Sequence, residues 1–221
     1  MAGRSDRVTR TLLLTGAAAG PLFVATFLIE GATRDNYDSL RHPVSSLALG
    51  PGGWRQVGNF AMAGSLYLTG AVGLIRAEAR LPDHGPRAVS IGPVLIGAGA
   101  LGLLGASAFV TDPISGYPCG TPDVPASRTT SGALHDLLSL PTFLGIPTAA
   151  LLYTRRALHD GHPWWAAYSG ASAISMLAAT ALATLAFSQR PSMVAHGGVL
   201  QRTAVSIGFA WLTALHLRAT R

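Results

Sequence analysis

The sequence predicts an all-α polytopic membrane protein: a six-transmembrane-helix bundle forming one domain over residues 1–221. Three observations carry that prediction. Hydrophobic residues make up 49% of the chain and charged residues only 12%, with a mean hydropathy of +0.37, whereas a soluble domain carries roughly 25% charged residues. Six apolar stretches approach the ~20 residues that cross a bilayer as helix. All 16 basic residues are arginine, and they fall between those stretches rather than in one run. The composition excludes a disordered chain and argues against a soluble enzyme. The scatter of arginines argues against a nucleic-acid partner, despite the net charge of +6, and reads as membrane topology.

The first stretch, residues 11–32, follows Arg4, Arg7 and Arg10. Such a start also fits a signal peptide, but the length of the run and the five spans after it favour an uncleaved helix. The second and third stretches are residues 57–75 and 88–111. In the third, Ala98, Gly102 and Ala106 have the small-xxx-small spacing that lets helix backbones approach closely in lipid. The fourth, residues 132–154, contains Pro141 and Pro147. These two, like Pro21 and Pro93, each free a backbone carbonyl and predict a kink. The fifth, residues 164–187, repeats the small-residue spacing at Ala179 and Ala183, and the sixth is residues 199–217.

With the N-terminus inside, ten arginines fall on the inner side and six on the outer side. The positive-inside rule then places both termini in the cytoplasm of a multi-pass cell-membrane protein. The inner connections are short. The outer ones, residues 31–56, 112–131 and 188–198, are longer and richer in polar residues.

Polar groups at membrane depth are costly, which makes them candidates for function. Here they gather at the outer helix ends, and the middle of the bilayer is nearly free of ionisable groups. That pattern argues against a proton path or channel and for a pocket open to the outer leaflet. His135 and Asp136 begin the fourth span, with Ser139 one turn on along the same face. His135 is the candidate general acid or base, with Asp136 or Asp112 orienting it. The plain alternative is a helix start, with Ser131 as cap and Asp136 favouring the dipole. Asp112 either stops the third span, pairs with Arg202, or helps His135 hold a cation.

The first outer connection sets Tyr37, Leu40, Val44, Leu47 and Leu49 around Arg41. It reads either as a short amphipathic helix on the membrane surface or as an ordinary re-entry anchored by Trp54. Arg41 and Arg55 would then meet lipid phosphate. The candidate substrate-binding set is Arg41, His42, Ser45, Trp54, His196 and Arg202, with Arg41 and Arg202 taking an anionic head group. Arg202 also has Asp112, Asp136 and Glu30 as salt-bridge partners. No metal or cofactor is expected. Cys119 is a single cysteine, no HExxH or HxxxH spacing occurs, and zinc on some of His42, His135, His196 and Asp112 is the weaker alternative. A bis-histidine haem needs facing histidines inside the bundle, and His84, His159, His162 and His216 are expected near the inner surface, solvated or interfacial.

The run Arg41-His42-Pro43-Val44-Ser45-Ser46-Leu47-Ala48-Leu49-Gly50, followed by Gly53-Trp54 and Asn59-Phe60, resembles the signature of the DUF998 family of bacterial and archaeal membrane proteins. Asp112, Gly132-Ala133-Leu134-His135-Asp136 and Gly198-Val199-Leu200-Gln201-Arg202 are also similar to its pattern. The resemblance covers nearly the whole chain and implies a six-helix membrane fold, with no established activity. Pro43 to Ser46 with Asn59-Phe60 is more remotely similar to the Frag1-like six-helix proteins, which are linked to lipid remodelling and distribution. No catalytic residue carries over from either, and the last span lacks the HxxxH pair of zinc-dependent ceramidase-like hydrolases.

The expected function is therefore an outer-leaflet pocket that binds or modifies a membrane lipid or other hydrophobic small molecule. Two alternatives stay open. One is a non-catalytic transporter or partner subunit, its protein partner unknown. The other is an isoprenoid cyclase, in which Asp112 or Asp136, buried in an apolar pocket, would protonate an alkene.

Overall fold

A computed structural model describes residues 2–80 and 91–221. Among them lie six helices: α1 (Ala2–Thr33), α2 (Trp54–Glu78), α3 (Ile91–Ala108), α4 (Thr130–His159), α5 (Pro163–Phe187) and α6 (Gly197–Arg218). Each packs on its neighbours in sequence and α6 packs back on α1, so the helices form a closed up-and-down ring. The expected spans coincide with these helices, although α1 begins earlier, at Ala2, and α3 ends earlier, at Ala108. The expected start of the third span, with His84 and Arg87, lies outside the described residues.

Helices α1 to α5 are long and apolar enough to cross a membrane, and the chain is a multi-pass membrane protein. The sixth helix, 22 residues long, is not among those five. Its Arg202 and His216 are turned into the bundle and buried, where protein rather than lipid surrounds them.

The core is an aromatic column between α1, α2 and α6. The Phe23 ring lies 5.5 Å from Phe60 and 5.2 Å from Phe209, and Tyr67 lies 5.1 Å from Phe209. Edge-to-face rings at such distances add to the burial itself. Small residues set the helix spacing. Gly102, Ala106, Ala179 and Ala183 are buried as their spacing predicts, while Ala98 is half-buried. His216 departs from the expected interfacial position: it is fully buried. Gly16 of α1 and Gly70 of α2 leave a slot for its ring, and a Cβ on either would collide with it. Its Nδ1 lies 2.7 Å from the Leu212 carbonyl.

Within α4 the predicted proline kink is a π turn at Pro141–Gly145. Proline lacks the N–H that would continue the α-helical ladder, and one wider turn absorbs the gap. Thr142 Oγ1 donates to Gly99 O at 2.9 Å and fixes the turn on α3. Above the turn, α4 packs chiefly on α3; below it, α4 packs on α5. The ring is therefore looser between the first half of α4 and α5.

Gly70→Val should destabilise the α1–α2–α6 contact by about 1–3 kcal/mol, the usual range for overpacking. The thermal midpoint of the detergent-purified protein checks this, with Gly58→Ala as control because nothing lies near its added Cβ.

Candidate functional site

Residues 34–53, 109–129 and 188–196 meet at one end of the ring, the loop end. Arg202 of α6 organises them. Its guanidinium is buried, and Nη1 donates to Ser39 O at 2.6 Å, His42 O at 3.0 Å and Gly198 O at 3.1 Å. Nη2 donates to the Tyr37 hydroxyl, and the rings of Phe27 and Tyr37 flank the cation at 5.8 and 5.4 Å. The Tyr37 hydroxyl in turn donates to Pro43 O at 2.8 Å. Burial pushes its pKa up to about 12, against the opposing pull of Arg202, so the phenol stays protonated.

His42 stitches the first connection to the second. Asp38 N–H donates to its Nδ1 at 2.9 Å, which leaves Nε2–H to face Ser115 O at 3.2 Å. Arg41 donates from Nε to Ser115 O at 3.0 Å and from Nη2 to Asp123 at 2.7 Å. Gln189 Nε2 reaches Ser115 Oγ at 2.8 Å and ties in the third connection. A short 3-10 turn, Val44–Ala48, then drops into the mouth of the ring with Val44 and Leu47 buried. Gln201 Oε1 accepts from Val44 N–H at 2.8 Å and holds it there.

Beneath this cap lies a chamber of about 740 Å³. Its lining is mostly apolar and includes Phe23, Phe60, Leu103, Phe143, Val205 and Phe209. Ser45, His135, Ser139, Thr142 and Gln201 are polar groups among them. Arg128 and Asp136, an exposed ion pair, stand at its rim. The chamber extends to the loose seam, where Ser139, Leu140 and Phe143 of α4 face Thr184 and Phe187 of α5.

His135 is buried in the chamber wall, with the Phe60 ring edge-on at 6.1 Å. Its Nδ1 lies 2.8 Å from Phe109 O. A carbonyl can only accept, so Nδ1 carries the hydrogen and Nε2 keeps its lone pair in the neutral ring. Asp112 acts elsewhere. It accepts from Thr129 N at 3.0 Å and Thr129 Oγ1 at 2.6 Å, and Thr129 Oγ1 accepts from Gly132 N at 3.0 Å as the N-cap of α4. A Cβ at residue 132 would overlap the Asp112 carboxylate and push it off Thr129.

A family model described as "Protein of unknown function (DUF998)" matches residues 17–218. The chain belongs to the DUF998 family. No curated protein and no solved structure matches it. The Frag1-like resemblance rests on its few quoted residues alone.

The structure of this DUF998 protein brings some expected site residues together and separates others. Ser45, His135, Asp136 and Asp112 line the chamber. His135 is oriented by a backbone carbonyl; Asp136 instead pairs with Arg128, and Asp112 with Thr129. Arg41 and His42 serve the loop cap. Arg202 takes neutral oxygens rather than Asp112, Asp136 or Glu30, because Glu30 is already held by Arg34 at 2.7 Å and Arg55 at 3.3 Å. Trp54 is 73% exposed at the start of α2 with Arg55 against its ring, and His196 is exposed before α6. The stretch from Tyr37 to Leu49 is not a surface helix: Tyr37, Val44 and Leu47 are buried in the ring mouth, while Leu40 stays exposed. Among the described residues no three His, Cys, Asp or Glu side chains converge. Sequence reasoning missed the aromatic lining and the rim cation Arg128, since neither breaks the apolar or loop pattern around it.

Arg202→Lys should cost about 2–4 kcal/mol, because one ammonium cannot reproduce the forked contacts of a buried guanidinium. Faster limited proteolysis within residues 34–53 reads this out. Burial lowers the His42 pKa below its ordinary 6.5, against the pull of Asp38 and the Ser115 carbonyl, with Arg41 and Arg202 lowering it further. The unfolded cap therefore binds the proton first. The stabilisation is present above about pH 6.5 and is lost as pH falls through the lower folded value. The thermal midpoint should drop more between pH 7.5 and 5 in wild type than in His42→Asn.

Proposed function

We propose that the chamber binds a lipid or other hydrophobic small molecule that enters sideways from the membrane. The observation carrying this reading is the chamber's lining: mostly apolar and aromatic, with a few polar groups such as His135 and Gln201, and reaching the exposed Leu140 of α4 and Thr184 of α5. Its volume falls within the range of small-molecule sites. An acyl or prenyl chain would lie on Phe23, Phe60 and Phe209. A polar head would reach Ser139, His135 and the rim pair. Arg128 takes the head-group role first assigned to Arg41 and Arg202, since an exposed ion pair holds its partner weakly and exchanges it readily.

The lone pair on His135 Nε2 supports a second step, proton transfer to or from the bound molecule. A cyclase is less well supported. Asp112 is occupied by Thr129, and Asp136 is exposed beside Arg128, so neither is a sealed acid. A transporter or partner subunit would use the same chamber without the chemistry.

Arginine placement supports an outward-facing chamber. The count of six arginines in the loop-end segments against ten in the termini and short connections is the asymmetry that the positive-inside rule reads. Cys119, the single and exposed cysteine of the loop end, is a native probe. A membrane-impermeant maleimide should label it in intact cells. Labelling only after permeabilisation would reverse the orientation.

Mass spectrometry of molecules that co-purify with the protein tests binding. Ser139→Trp, which fills the chamber, should reduce the retained lipid at least tenfold while the protein stays monodisperse. Equal retention would exclude the chamber as the site. His135→Asn separates binding from chemistry: retention with an uncorrected lipid profile in a deletion strain marks His135 as catalytic, and full correction leaves binding alone.

A further inference from the structure

The end of α1 and the start of α2 share one carboxylate between two arginines. Glu30 of α1 is buried, and Arg34, one turn on, donates to its Oε2 at 2.7 Å. Both side chains of that pair are less than a tenth exposed. Arg34 also donates to the carbonyls of Pro51 at 2.6 Å and Gly52 at 3.1 Å. Arg55 of α2 approaches the other Glu30 oxygen, Oε1, at 3.3 Å, and its side chain is 53% exposed. Among the described residues Arg55 has no further ion pair or hydrogen bond. Asp35 pairs with neither arginine there, and Asp38 accepts from Leu40 N–H instead.

Two guanidiniums against one carboxylate leave one positive charge. The buried Arg34–Glu30 pair is neutral in itself, so the surplus rests on Arg55. Its longer bridge to a carboxylate that is already paired holds it weakly. The place of this charge matters. Helix α2 is one of the five able to cross a membrane, and its 25 residues make about 37 Å of helix against a hydrocarbon core of about 30 Å. Its ends therefore reach the head-group layers. Trp54 is 73% exposed, with the Arg55 guanidinium over its ring at 5.6 Å, as suits an aromatic at the membrane–water boundary. One turn further into the membrane, Gly58 is exposed, and nothing lies within 4 Å of a Cβ added there. Residues 54, 55 and 58 share one face of the helix, so an open notch lies beside the stacked pair.

We propose that Trp54, Arg55 and Gly58 form a surface site for an anionic phospholipid whose head carries no ammonium, the chemistry of a phosphatidylglycerol. The phosphodiester accepts from the Arg55 N–H groups not committed to Glu30, whose fork suits two phosphate oxygens. The start of an acyl chain lies in the notch at Gly58. An anionic head neutralises the single surplus charge. A choline head brings its own cation, and the aromatic face that would take it already carries Arg55. None of the three residues lines the chamber, so this site stands apart from the one proposed above.

Calorimetric titration of the full-length protein in detergent tests this, in wild type and in Ser139→Trp, whose chamber is filled. The probes are short-chain phosphatidylglycerol, short-chain phosphatidylcholine and free glycerol phosphate. In both proteins the glycerol lipid should bind saturably and at least fivefold more tightly than the choline lipid, and less tightly as salt is raised. Free glycerol phosphate, which has no chain for the notch, should bind at least tenfold more weakly. Added to Ser139→Trp, R55Q and G58W should each weaken binding of the glycerol lipid at least fivefold. Both positions are exposed, and G58W reports on the notch without touching the charge. Loss of binding in Ser139→Trp alone would put the lipid in the chamber and overturn the proposal. Equal affinity for the choline lipid or for free glycerol phosphate, or undiminished binding by R55Q or G58W, would overturn it too.

Discussion

A guanidinium buried among neutral oxygens holds the loop end together. Removing Arg202 from water costs several kcal/mol, and no carboxylate repays it. Carbonyl dipoles from Ser39, His42 and Gly198, the Tyr37 hydroxyl and two aromatic faces offset that cost together. They can do so only if residues 37–43 fold over the end of α6. The charge therefore selects one loop conformation, and that conformation seats Val44–Ala48 in the ring mouth. The chamber roof depends on it, as does the Ser115 junction where the other two connections are tied.

The wall of the chamber depends on a second device, in α4. Asp112 and Thr129 fix where the helix starts, and the π turn at Pro141 fixes how it leaves its neighbour. Between those points the helix leans on α3, so His135 meets the carbonyl at the end of that helix rather than a carboxylate. The same lean opens the seam toward α5. One proline and one N-terminal clip thus set both the tautomer of the histidine and the gap between α4 and α5 beside it.

The helices were legible in the sequence because membrane-spanning length and hydropathy are local properties. So were Ala179 and Ala183, whose spacing alone puts them on one face. The pairings were not legible. Arg202 reads as a residue in search of a carboxylate, since backbone carbonyls carry no letter in a sequence. His216 reads as interfacial because the glycines that make room for it, Gly16 and Gly70, lie on two other helices. Phe23, Phe60 and Phe209 come from three different helices, so nothing local in the sequence brings their rings together. The amphipathic reading of residues 37–49 found the apolar residues but not what they cover, because a plug and a surface helix share a pattern.

Membership of DUF998 matches the fold but assigns no chemistry, so any function must be argued from how the two ends differ. At the loop end, five of the six arginines are bound within the protein and the chamber beneath is mostly apolar, with its ionic pair at the rim. At the other end, the Glu78 carboxylate is buried with one oxygen bare and Arg218 lies open on the Trp165 ring. A ring closed by α6 against α1 keeps these two environments apart along one bundle, and the chambers at the two ends share no lining residue.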